Sequence, residues 1–160
     1  MIFFSLIEEI DNENASGEYY LTDCVAHAHE TGKTIHVVTC DEKETLGVNS
    51  RQDLAKAESA FQKRARQEHM QNGVSLLAPE TVFFSFDTVI GRDSVVEQHV
   101  VFGPEATIEN AAHIKAFCHI EGAHVSEGAS VGPFARLRPG AELGKQVRVG
   151  NFVEIKNAVI

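Results

Sequence analysis

The sequence predicts a mixed chain: an α/β remnant, a linker helix, and a parallel β-helix built from hexapeptide repeats. Two observations carry the β-helix. From Ile90 an apolar residue returns every sixth position, at Ile90, Val96, Phe102, Ile108, Ile114 and Ile120. The phase slips by one to Val125, then resumes at Val131, Leu137, Leu143, Val149 and Ile155. A second column follows four positions behind, at Ser94, Val100, Ala106, Ala112, Cys118, Ala129, Ala135, Ala141, Val147, Val153 and Val159. All of these are small or β-branched, and only His124, in the five-residue unit, breaks the column. A third observation separates this region from the rest: the first ninety residues have no such period.

A spacing of six suits neither an α-helix, which recurs at 3.6, nor a half-exposed strand, which recurs at two. It fits a short strand plus a turn, one wall of a coil that closes after three walls and stacks on the next. Residues 90–160 hold twelve units, or roughly four coils of about eighteen residues. No coil buries its apolar side alone, so stability accumulates by stacking. Glycine follows the large residue at Gly91, Gly103, Gly132, Gly144 and Gly150, where the chain turns. The aliphatic columns, Cys118 included, are core. Function therefore falls to polar residues on corners and outer walls.

The preceding elements read in order as follows. Leu21-Thr22-Asp23 opens a helix to about Glu30, with Thr22 or Asp23 as N-cap and Thr31-Gly32 as the stop. Thr34–Thr39 alternates and is β-branched, which predicts a strand. Residues 41–47 are polar and read as a loop. Ser50 caps a long helix to about Gln71, with Asp53 three residues on as a weak capping box. Leu54, Ala57, Phe61, Ala65 and Met70 form its apolar stripe, and Arg51, Lys56, Lys63, Arg64, Arg66 and Glu68 its opposite face. Asn72-Gly73 ends it. The expected organisation is thus a C-terminal part of an α/β domain at 1–49, a linker helix at 50–72, an extended lead-in at 73–89 and the first coils of the β-helix at 90–160. Forty-nine residues are few for an independent α/β core, so the first block is expected to complete a larger domain.

Composition narrows the function. The 160 residues carry 14 basic and 23 acidic side chains, a net charge of −9. That balance disfavours nucleic acid and anionic membrane as partners, which need a concentrated basic surface. The initial apolar stretches, Met1–Phe4 and Leu6-Ile7, fall far short of the ~20 residues of a membrane span. Three cysteines without a CxxC spacing argue against a disulfide scaffold or zinc site and for a reducing, cytoplasmic setting.

Four strings carry chemistry: Gly17-Glu18-Tyr19-Tyr20-Leu21-Thr22-Asp23, Gly47-Val48-Asn49-Ser50-Arg51, Gly132-Pro133-Phe134-Ala135-Arg136-Leu137-Arg138-Pro139-Gly140, and Gly150-Asn151-Phe152-Val153-Glu154-Ile155-Lys156. In this order, with a helix before a hexapeptide prism, the chain over residues 12–160 resembles a central segment of the bacterial bifunctional N-acetylglucosamine-1-phosphate uridyltransferase/glucosamine-1-phosphate acetyltransferase. The resemblance implies a left-handed coil, a homotrimer, and synthesis of UDP-N-acetylglucosamine for the cell wall. It implies acetyl-CoA and glucosamine 1-phosphate as partners in one reaction, and UTP with N-acetylglucosamine 1-phosphate in the other, with Mg2+ as cofactor of the second. The family's glycine-rich nucleotide loop has no counterpart here, and its catalytic His falls beyond Ile160. No catalytic residue is therefore assigned, and the chain alone is expected to be catalytically incomplete.

By the same resemblance Asn49 matches a residue that binds substrate and helps hold the Mg2+, although one amide oxygen is not a site. Arg138 and Lys156 match the cations that contact the sugar phosphate. Guanidinium offers a planar fork to phosphate and ammonium a mobile point charge. Their separation of eighteen residues is one coil, which by itself stacks them on one wall. The bland alternative is a solvated pair matched with Glu142 or Glu154. Arg136 reads as a corner or interface residue.

Two other readings stay beside this one: a catalytically inactive, trimerising β-helix module, and a hexapeptide zinc enzyme using His99, His113, His119 or His124. Against the latter, histidines six apart, as His113 and His119 are, lie on walls that diverge, whereas zinc needs converging ligands.

Overall fold

The computed structural model describes residues 2–160; Met1, where the expected N-terminal block begins, lies outside them. The chain divides into two compact units, Met1–Thr45 and Leu46–Ile160. In the first, helix α1 (Ile2–Ile7) packs on α2 (Asp23–Glu30) through Leu6, Cys24 and Ala28. Cys24 and Ala28 are one helical turn apart and share a face. Thr22 stands at the α2 N-cap, and the Thr31 hydroxyl closes the far end on the His27 carbonyl at 2.8 Å.

The strand expected over Thr34–Thr39 does not form. Its backbone is irregular, and Val37 and Val38 are 86% and 88% exposed. A strand is held by ladder bonds to a neighbour, and among the described residues of this unit none forms one. The polar loop after it contains a short 3-10 helix, Glu42–Thr45.

The second unit opens with α3 (Arg51–Gln71). Ser50 is extended, and its Oγ accepts the Asp53 N–H at 3.1 Å while its hydroxyl donates to the Asp53 carboxylate at 2.7 Å. The helix ends where Asn72 N–H returns to Glu68 O at 2.9 Å and Gly73 turns with φ +92°, a conformation that favours glycine.

Three parallel walls follow. The first stacks Ser75–Leu76, Val95–Val96, His113–Ile114, Ser130–Val131 and Arg148–Val149. The second stacks Val101–Phe102, His119–Ile120, Arg136–Leu137 and Glu154–Ile155. The third stacks Val89–Ile90, Thr107–Ile108, Ala123–Val125, Ala141–Leu143 and Ala158–Val159. Every residue of the predicted large column, from Ile90 to Ile155, is buried. The small column is buried from Ser94 to Ala141 and opens towards Val159. The one-residue slip shortens the rung spacing from eighteen to seventeen, as in His119↔Arg136 against Val101↔His119.

Coiling starts earlier than the period indicates. Ser75–Leu76 pairs with Val95–Val96, and Phe83 bridges Val101. Val82 and Phe84 are buried beneath this coil. The segment expected as an extended lead-in is therefore a coil of its own. From Leu76 the rung to Val96 is twenty residues rather than eighteen, and the 3-10 turn Pro79–Thr81 takes up the surplus, which hides the hexad phase.

Helix α3 seals this coil with polar groups. Gln62 and Arg66 are 3% and 7% exposed, while Leu54 and Met70 of the expected apolar stripe are exposed. Gln62 Nε2 donates to Phe84 O at 2.7 Å, and its Oε1 accepts Phe84 N–H at 2.9 Å. Arg66 Nε donates to Val82 O at 3.0 Å and Nη1 to Glu80 at 2.8 Å. Arg66 was expected on the outer face; it turns inward because the open edge of the coil presents backbone groups that need partners. His69 stacks on Phe84 at 4.6 Å, and burial lowers its pKa from the ordinary value.

The corner between the first and second walls carries a ring at a left-handed backbone position in each of the four later coils: His99, Phe117, Phe134 and Phe152. Successive rings stack at 4.9, 4.8 and 5.2 Å. Stacking offsets part of the cost of bulky residues at positive φ.

Candidate functional site: the outer face of the second wall

Along each strand of the second wall one residue turns inward between two that turn outward. Leu137 is fully buried, while Arg136 and Arg138 flank it on the outside. Leu137 pairs in register with Ile155, and Arg138 N–H donates to Ile155 O at 2.9 Å. Arg138 therefore stands beside Lys156 in the next coil, at the inter-strand spacing of about 4.8 Å. Register in the other direction sets Arg138 beside Glu121 and Arg136 beside His119.

The face is a checkerboard. Arg138 Nη1 meets Glu154 Oε1 at 2.8 Å, and Arg136 Nη2 meets Glu121 Oε1 at 3.6 Å. His119 Nε2 lies 3.7 Å from Glu121 Oε2. Lys156 is exposed and makes no ion pair among the described residues. Three formal cations thus face two carboxylates, a locally positive surface on a chain of net charge −9. Arg136, read from sequence as a corner or interface residue, lies in the strand Arg136–Leu137 and not at a corner. Glu121 escaped the sequence reading. Its offset of fifteen residues from Arg136, like the sixteen between Arg138 and Glu154, is a diagonal step across one coil.

Asn49 lies elsewhere, exposed in the segment just before the Ser50 cap. The nearest acid in sequence, Asp53, is committed to the Ser50 hydroxyl at 2.7 Å and Lys56 Nζ at 3.4 Å. The Ser50 bond, before that of Lys56, lowers its pKa from the ordinary value. One neutral amide with an engaged carboxylate is not by itself a Mg2+ site, since Mg2+ takes octahedral oxygen ligation.

The histidines are parted by the prism. His113 pairs with Glu97 at 2.8 Å on the first wall and His124 with Glu109 at 3.0 Å on the third, while His119 faces the second. Glu109 is held below the usual carboxylate range, first by the Glu127 N–H at 2.8 Å and then by His124. Among the described residues no group of three or more His, Cys, Asp or Glu is placed to hold a metal. Cys118 is buried against the Val131 carbonyl, and burial pushes its thiol pKa up. Among the described residues no helix is long and apolar enough to cross a membrane.

Hexad period and three stacked parallel walls define the class: a hexapeptide-repeat parallel β-helix preceded by a helix. Within that class the chain matches a segment of the bifunctional protein GlmU. It is 61% identical over 159 residues to the Cereibacter sphaeroides protein, covering 99% of this chain and 35% of that one. It is 62% identical over 151 residues to the Paracoccus denitrificans protein, covering 94% of this chain and 34% of that one. The chain thus spans about a third of the length of these relatives. No family model matches. Among solved structures, the acetyltransferase domain of PglB from Neisseria gonorrhoeae FA1090 is similar with a TM-score of 0.42 and 25% identity, over 62% of this chain and 58% of that chain.

Proposed function

We propose that this chain supplies the phosphate-binding wall of a bifunctional transferase of UDP-N-acetylglucosamine synthesis. In the complete enzyme, acetyl-CoA acetylates glucosamine 1-phosphate, and UTP then gives a uridylyl group to the N-acetylglucosamine 1-phosphate with release of pyrophosphate. On this reading Arg138 and Lys156 grip the sugar phosphate. The observation that supports it is their adjacency on one exposed wall, with Lys156 in no ion pair among the described residues. A planar fork beside a mobile ammonium suits a dianion with three terminal oxygens. Asn49 belongs to the uridyltransferase half, where it offers one amide oxygen towards substrate or Mg2+, with the remaining donors drawn from elsewhere in the enzyme. Assembly as a homotrimer in the cytoplasm completes the reading.

Binding of glucosamine 1-phosphate to the chain tests it, followed by amide chemical shifts. We expect shifts centred on Arg138 and Lys156, and R138A/K156A to weaken binding at least about tenfold, each cation contributing a charge-assisted bond. Unchanged binding in the double variant would refute the assignment.

A further inference from the structure

We infer that Gly122 is a positioning residue of this anion site: it seats the corner that carries Arg138, and it does so only because it has no side chain. The inference rests on the phosphate reading of Arg138 and Lys156. Corners between the second and third walls do not share one length. Ile120 to Val125 is a step of five residues, whereas Phe102 to Ile108 and Leu137 to Leu143 are steps of six. Rungs of seventeen and eighteen residues therefore alternate on the third wall, as in Thr107↔His124 against Glu142↔His124. The two longer corners hold Gly103-Pro104-Glu105 and Arg138-Pro139-Gly140, and the short one between them has only Glu121-Gly122 at its bend.

Gly122 is held from both sides. Its N–H donates to Pro104 O at 2.8 Å, and its carbonyl accepts the Gly140 N–H at 2.9 Å. It has φ +53°, and a Cβ there would stand 2.9 Å from both Cα and Cγ of Pro139, well inside the carbon contact distance of about 3.5–4.0 Å. Pro139 Cα is backbone, so no rotamer change relieves that clash. The next coil fixes the far side of the same corner, with Asn157 N–H on Pro139 O at 3.3 Å and Ala158 N–H on Gly140 O at 3.0 Å. Pro139 thus rests on Gly122 and directly follows Arg138. A side chain at position 122 displaces this corner and shifts Arg138 against Lys156, which stands beside it in the next coil. A two-cation grip tolerates little of this, since binding groups need to be held to within about 0.5 Å.

The test follows glucosamine 1-phosphate binding by amide chemical shifts in the intact chain and its G122A, G128A and R138A variants. Gly128 has φ +70° and lies on the corner between the third and first walls, where an added Cβ would meet Gln146 Cγ at 3.4 Å. G128A therefore carries the same left-handed alanine away from Arg138. We expect G122A to move the Arg138 and Gly140 amide signals and to weaken binding at least about threefold, part of a charge-assisted contact, while G128A binds as the wild type does. G122N, which has the same Cβ at a lower left-handed cost, replaces G122A if that variant does not fold. Failure of both to fold, with G128A folded, means that Gly122 serves stability alone and overturns the inference. Wild-type affinity in G122A, with binding still lost in R138A, overturns the role of Gly122 and leaves the anion site standing. Binding indifferent to R138A overturns the anion site itself, and the role of Gly122 with it.

Discussion

Ser50 decides where the longest helix begins. Its extended backbone and its bond from the Asp53 N–H satisfy a donor that the first turn leaves without an internal partner. Ser50→Ala is expected to destabilise the second unit by about 1 kcal/mol, measured by chemical denaturation, while Ser50→Asp retains most of the stability. A loss as large in the Asp variant would contradict the cap. This residue was legible because capping chemistry is local. Arg66 was not, because periodicity sorts side chains by polarity, whereas its 3.0 Å bond to Val82 O is set by an edge sixteen residues away. Arg138 and Lys156 lie between these cases: the period predicts their stacking and the sequence offers Glu142 or Glu154 as a partner, but nothing local selects Glu154, which the structure places on Arg138.

Among the elements, α3 closes the first coil by imitating a strand. The Gln62 amide gives Phe84 a donor and an acceptor at 2.7 and 2.9 Å, as a preceding coil would. Gln62→Leu should leave both Phe84 backbone groups buried without partners, at a cost of about 1–3 kcal/mol. Hydrogen exchange gives the sharper readout: the Phe84 amide should exchange much faster in the variant, and equal protection would contradict the sealing role. Sequence reasoning located this helix, its ends and part of its inner face, since Ala65 packs on the core, but placed Arg66 outside, because a coil edge asks for hydrogen bonds as well as apolar contact. The first coil was hidden by a two-residue insertion, and the Thr34–Thr39 segment has strand composition without a neighbour to pair with. Each miss follows from a partner distant in sequence.

At the scale of the molecule, one repeat length organises the second unit. Three hexads make a rung, rungs stack the apolar columns inward, and the same rungs line up Val101, His119, Arg136 and Glu154 on the outside. An acidic chain thereby presents a small positive face without any basic run in its sequence. That face was legible in outline from the period alone; its charge pairing needed diagonal distances that no spacing rule supplies. On the proposed reading function is carried by the phase of a repeat rather than by a local motif, so an error of one residue would turn Arg138 inward. The direct measurement is a crystal structure of the chain grown with glucosamine 1-phosphate. The account predicts the phosphate bridging Arg138 and Lys156 on one outer wall with Glu154 turned away from the guanidinium; Arg138 and Lys156 on different walls, or a phosphate bound without either, would contradict it.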